Sequence, residues 1–173
     1  MAIAHRVFRI VSMLWVGSLL TLGLVATPVL FSMLDSAVAG SVAAQYFRME
    51  AFVGVVSALV LILIGNRFVK SGIADYKRVR WIVAVMLVCV LVGYFALQPF
   101  MNSLRMAAQA AGTELASSPY ARQFGILHGI SSAIYLIECL FGIALVWRLP
   151  GSAPSAIVPK NKSAKMAAKR ARS

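Results

Sequence analysis

Three observations predict an all-α integral membrane protein, a four-transmembrane-helix bundle with both termini in the cytoplasm. The chain is 61% hydrophobic with a mean hydropathy of +0.85, well above soluble usage. Its apolar residues fall in four runs, each long enough for a span of ~20 residues. Its 17 basic residues, set against 5 acidic ones, are gathered at three places, and in a four-helix chain those places lie on one side. The leader, the segment 66–80 and the tail from Arg148 hold all of them except Arg48, Arg105 and Arg122. The positive-inside rule therefore sets that side in the cytoplasm. The net charge of +12 is accounted for by orientation, so no specific nucleic-acid partner is needed.

Residues 1–9 form a short basic leader with His5, Arg6 and Arg9. No charge occurs from Ile10 to Leu34, which predicts a first helix over about 10–27. The run is too long for a signal-peptide core, and Pro28 stands where a small-residue cleavage site would end, so the helix is read as retained. Gly17 and Thr21 give it a small-residue stripe for helix packing. Pro28 lacks a backbone donor and is expected to kink or end the helix near Ala26, leaving 28–40 as a re-orienting connection with Asp35 at its wet point. A second helix is expected over 41–65, with Gly54 and Ala58 as a packing pair. Its apolar part begins only at Ala51, so Arg48 would snorkel toward the outer headgroups beside Glu50. Segment 66–80 reads as a polar basic turn. A third helix follows over 81–100, ending near Gln98-Pro99, with Trp81 and Tyr94 at the two interfaces. A loop rich in Ala and Ser, helical in part until Gly112, leads to the fourth helix over 122–147. The transmembrane domain thus spans 10–148, and 149–173, dominated by Pro, Gly, Ser, Ala and Lys/Arg, reads as a disordered basic tail suited to contact with anionic lipid.

The fourth helix carries the chemistry. At ~100° per residue, Ile126, Leu127, Ile130, Ile134, Ile137 and Phe141 fall on one side. Phe124, His128, Ser131, Ser132, Tyr135, Glu138, Cys139 and Gly142 fall on the other. Beside them runs a small-xxx-small edge of Gly125, Gly129 and Ala133. A charged side chain near the bilayer centre costs ~2.5–3.5 kcal/mol, which makes ionisable residues such as Glu138 and His128 functional candidates by default. Glu138 lies ~24 Å from the outer end of the helix and ~15 Å from the inner one. No basic residue occurs in the apolar parts of the other helices, so its carboxyl must be neutral or wet, with Tyr135 and Ser131 placed to share its hydrogen bonds.

An enzyme is not expected. None of the patterns HExxH, GxSxG, GxGxxG or P-loop is present, and His128 and Glu138 lie ~15 Å apart on one helix, too far for a triad. No cofactor is expected and no metal site is assigned. Met33, Met49, Met101, Met106 and His128 approach one outer mouth by this topology, but without a recognised ligand spacing. Cys89 and Cys139 sit in apolar runs and read as small core residues.

Several pieces of the sequence occur together in one family. Leu14-Trp15-x-Gly17, then Thr27-Pro28-Val29-Leu30-Phe31, Ala39-Gly40, Pro99 and Met101 with Leu104-Arg105, and Phe124-x-x-Leu127-His128-Gly129 resemble the motifs of a four-helix membrane group related to transmembrane protein 205. The resemblance covers residues 10–147. It implies the same four-helix topology and motif roles for Trp15, Gly17, Pro28, Phe31, Gly40, Arg105, Phe124, His128 and Gly129. The bacterial members are domains of unknown function, loosely grouped with copper-resistance membrane domains, so the resemblance implies no mechanism.

Two functional readings follow. In the first, His128, Ser131, Ser132, Tyr135 and Glu138 line a pathway for a small solute, proton or metal ion, with Glu50 and Arg48 at its outer end. In the second, the protein is a structural or accessory subunit, and the same face bonds to helices of a membrane-protein partner or a second copy, at ~0.6 kcal/mol per interhelical hydrogen bond.

Overall fold

In the computed structural model, residues 2–149 are described, and they form four long helices with no strand among them. The helices are α1 (Ala2–Met33), α2 (Ser36–Lys70), α3 (Asp75–Ala110) and α4 (Ala121–Trp147), all long and apolar enough to cross a membrane. The expected disordered tail lies outside the described residues, apart from Leu149.

The first three helices run further than the apolar runs alone suggest. α1 does not stop at Pro28. It passes through a wide π-helical turn, Leu22–Ala26, and continues over Thr27–Met33. Pro28 supplies no N–H to the carbonyl four residues back, and a local π adjustment accommodates that loss without ending the helix. α3 does the same: a π segment, Leu91–Leu97, precedes Pro99, and the helix extends to Ala110. The connection expected over 28–40 shrinks to Leu34 and Asp35, and the basic turn to 71–74. α2 and α3 each end in a Schellman motif closed by a glycine with positive φ. At the first, Ile73 N–H bonds to Phe68 C=O and Gly72 N–H to Val69 C=O; at the second, Thr113 bonds to Ala108 and Gly112 to Gln109.

The helices stand in a ring in chain order, α1 against α2, α2 against α3, α3 against α4, and α4 back against α1. The half of the ring nearest the N-terminus is a dry core. Phe8, Trp15, Val16 and Leu19 of α1 meet Ala58, Leu61 and Phe68 of α2, Tyr76, Val79, Val83 and Met86 of α3, and Leu145 of α4. At its end His5 Nδ1 and the Tyr76 hydroxyl share a buried hydrogen bond, and Arg80 donates to Asn66 at 2.8 Å. The leader and the basic turn are thereby fastened together at one end of the bundle.

The other half is built differently. Neither π segment has a buried residue, nor does Thr27–Met33. Thr27–Met33 leans along α2 rather than α4. The bundle is therefore tightly packed at one end and more open at the other, where Ala39, Ala43, Met101 and Ala108 are still buried.

Candidate functional site

A cavity of about 330 Å³ occupies that open half, and all four helices line it. α1 contributes Leu19, Gly23 and Thr27; α2 contributes Phe47 and Glu50; α3 contributes Cys89, Gly93, Tyr94, Gln98 and Met101; α4 contributes His128, Ser131, Ser132, Tyr135 and Glu138. Five polar residues of α4 that share a face by helical periodicity thus open onto one space, joined by Glu50 from the facing helix. No Lys or Arg is among the described residues lining it.

At its floor the two carboxyls are buried, Glu50 at 7% exposure and Glu138 at 4%. Glu50 accepts a hydrogen bond from Ser18 at 3.1 Å. One oxygen of Glu138, Oε1, is buried without a partner. Tyr135 and Ser131, expected to bond to Glu138, leave that oxygen free. The Tyr135 hydroxyl instead donates to the Leu19 carbonyl across the gap to α1. It reaches α1 beside Gly23, where any Cβ would overlap the Tyr135 ring. The wide turn brings that bare backbone to the tyrosine, and the hydroxyl is consumed there. The Tyr135 ring also meets Phe47 edge to face, 5.2 Å between centroids at 85°.

Arg48 does not belong to this site. It is exposed while Glu50 is buried, as two residues' separation on a helix demands. Of the methionines considered for a metal, Met101 lines the cavity, whereas Met33, Met49 and Met106 are exposed. Among the described residues no three of His, Cys, Asp and Glu come together as a metal would require.

The small-residue positions divide. A Cβ on Gly54 would stand 3.1 Å from Trp15 Nε1 and 3.2 Å from Val90 Cγ2, and Ala58 is fully buried, so here helices approach closely. Gly17 and Thr21 are exposed, because the buried stripe of α1 is set by Phe8, Ser12, Trp15, Val16 and Leu19. Gly125, Gly129 and Ala133 are exposed too, with nothing within 4 Å of a Cβ at either glycine. The close contact of α4 lies further along, at Gly142 against Val16 and Met86.

Near the open mouth, residues far apart in sequence form a stack. The Phe124 and His128 rings lie parallel at 6.0 Å, the Arg105 guanidinium sits 5.8 Å from the Phe124 centroid, and a Cβ on Gly40 would be 3.4 Å from that guanidinium. Trp15 is buried in the core, its Nε1 without an acceptor, and Phe31 is half-exposed on the outer part of α1. Thr27, Phe47 and Gln98 are lining residues that the sequence reading passed over, and Tyr94, expected at a membrane interface, lines the cavity as well. Thr27 and Gln98 each precede the proline that follows a π turn, and that shared position was the available signal.

Neither curated proteins nor solved structures gave a match to this chain. A family model does match, over residues 10–110, which takes in Glu50, both π turns and Arg105, and stops before α4. The chain therefore belongs to the membrane-associated family described as Domain of unknown function (DUF4149).

Proposed function

We propose that this is a non-catalytic, multi-pass protein of the bacterial inner membrane that handles a small solute, proton or cation in the cavity between its four helices. Both termini are cytoplasmic in this reading, so the dry end of the bundle faces inward and the cavity mouth outward. The observation that carries it is the Glu138 carboxyl: buried, with an unpartnered oxygen, in a shared cavity with Glu50 and no Lys or Arg in the lining. Two buried acids so placed have their charge balanced by protons or by a bound cation. The π turns at cavity level fit such a role, since irregular backbone at membrane depth is tolerated where it lines a cavity. The kinship with the transmembrane protein 205 group is part of this proposal. It is supported by the meeting of Gly40, Arg105, Phe124 and His128 at the mouth.

Water access is the direct test. In a background lacking Cys89 and Cys139, Ser132→Cys is expected to react with a hydrophilic thiol reagent added from outside the membrane, while a cysteine at Met86, in the dry core, stays silent. An unreactive Ser132→Cys overturns the reading. Orientation is tested separately. A reporter fused after Arg148 is expected to be cytoplasmic and one inserted at Ala110 to lie on the other side; the opposite pattern reverses the assigned faces.

One observation favours a second reading, an accessory subunit docked on another membrane protein or on a second copy. The edge Gly125, Gly129 and Ala133 is exposed and open, as a helix-packing edge would be before its partner arrives.

A further inference from the structure

The two hairpins of the ring repeat one pattern. α2 carries Phe47-x-x-Glu50-Ala51-x-x-Gly54 and α4 carries Tyr135-x-x-Glu138-Cys139-x-x-Gly142. In both, the carboxyl and the small residue after it are buried. In both, the glycine is wedged against α1 and α3: Gly54 on Trp15 and Val90, Gly142 on Val16 and Met86. The helices preceding them match as well. Trp15 and Met86 each stand thirteen residues before the proline that follows a π turn, Pro28 and Pro99. Parallel repeats of this kind, with broken helices around a midplane site, are a recurring architecture of membrane transporters. Here the repeat brings one aromatic ring and one carboxyl from each hairpin to a single cavity, the rings touching edge to face.

Building on the solute-handling reading, we infer that this cavity takes a lipophilic organic cation, held between the two carboxyls and the Phe47 and Tyr135 rings. Size argues against a bare ion. About 330 Å³ is at the scale of small-molecule sites, ~300–1,000 Å³, and far above the ~30 Å³ that a water occupies. Charge argues for a cation, because two acids and no Lys or Arg line the space. The lining argues against a metal ion, since no three of His, Cys, Asp and Glu converge among the described residues. Leu19, Val90 and Ile134 complete apolar walls beside the aromatic rings, which attract cations through their faces.

The test is equilibrium binding of benzyltrimethylammonium to the full chain in lipid nanodiscs, with benzenesulfonate as the anionic aryl control. Saturable binding of the ammonium at one per chain is expected, with none of the sulfonate. Because the carboxyls are repeats of each other, Glu50→Gln and Glu138→Gln should each weaken binding, about tenfold or more, while melting temperatures stay near that of the wild type. Phe47→Leu should weaken it about threefold, through the lost ring face. No saturable binding, equal binding of the sulfonate, or wild-type affinity in both Gln variants overturns the inference. The Ser132→Cys result then separates the two levels. A reactive thiol without ammonium binding leaves a wet cavity for another solute, whereas a silent thiol removes the solute-handling reading itself.

Discussion

Glu138→Gln is expected to insert, fold and accumulate like the wild type, yet fail completely to restore the phenotype of a deletion strain. The amide has nearly the shape of the carboxyl and keeps one acceptor where Oε1 now stands unpartnered. It puts no charge into the cavity and so asks for no compensating cation, which is why the melting temperature in detergent should change little. What it cannot do is exchange a proton or hold a cation, the two roles open to a buried acid without a basic neighbour. Glu138→Asp keeps the charge but withdraws it by one methylene, and partial complementation is expected. Membrane abundance, melting temperature and complementation are read together. Full complementation by the Gln variant would reduce Glu138 to a packing residue and favour the accessory-subunit reading.

That prediction was visible in the sequence only in part. Hydropathy and the placement of Lys and Arg give the four helices, since bilayer thickness and charge transfer act on composition before any packing is considered. The residues of one face of α4 are also legible, because they lie on one helix and the 3.6-residue period orders them without reference to neighbours. What lies across the cavity is another matter. Arg48 and Glu50 look alike as charged residues near the start of an apolar run, but only the rotation of α2 about its axis turns Glu50 in and Arg48 out. The consequences of Pro28 and Pro99 were misjudged for a related reason. In water a proline in mid-helix commonly ends it. Inside a bundle the freed carbonyl can be accommodated by a wide turn, and α1 and α3 both run on past it. Tyr135 follows from the same turn: its hydroxyl bonds across to Leu19 beside Gly23 rather than along its own helix to Glu138.

The small-residue motifs show the limit most sharply, and they yield the second large effect. Gly54 and Gly129 both belong to small-xxx-small patterns, and nothing in the sequence ranks them. In the structure a Cβ on Gly54 would lie within 3.2 Å of atoms on two other helices, whereas one on Gly129 meets nothing within 4 Å. Gly54→Leu must therefore push against α1 and α3, since its Cβ alone already lies within 3.2 Å of Trp15 and Val90 and three more carbons follow, and overpacking of this kind costs about 1–3 kcal/mol or more. For a chain of this length each kcal/mol corresponds to about 2–4 °C in melting temperature. Gly54→Ala should cost much less, since Trp15 and Val90 need give only a few tenths of an ångström. Gly129→Leu should leave the monomer's melting temperature unchanged to within about 1–2 °C, matching the ~0.5 kcal/mol typical of open surface sites. The pair is informative because the same substitution is made twice on membrane helices, so general effects of a leucine in lipid cancel. A Gly54→Leu variant as stable as the wild type would mean that α2 does not approach Trp15 and Val90 as described. A Gly129→Leu variant that loses stability would mean that the open edge of α4 is covered by a partner helix in the membrane.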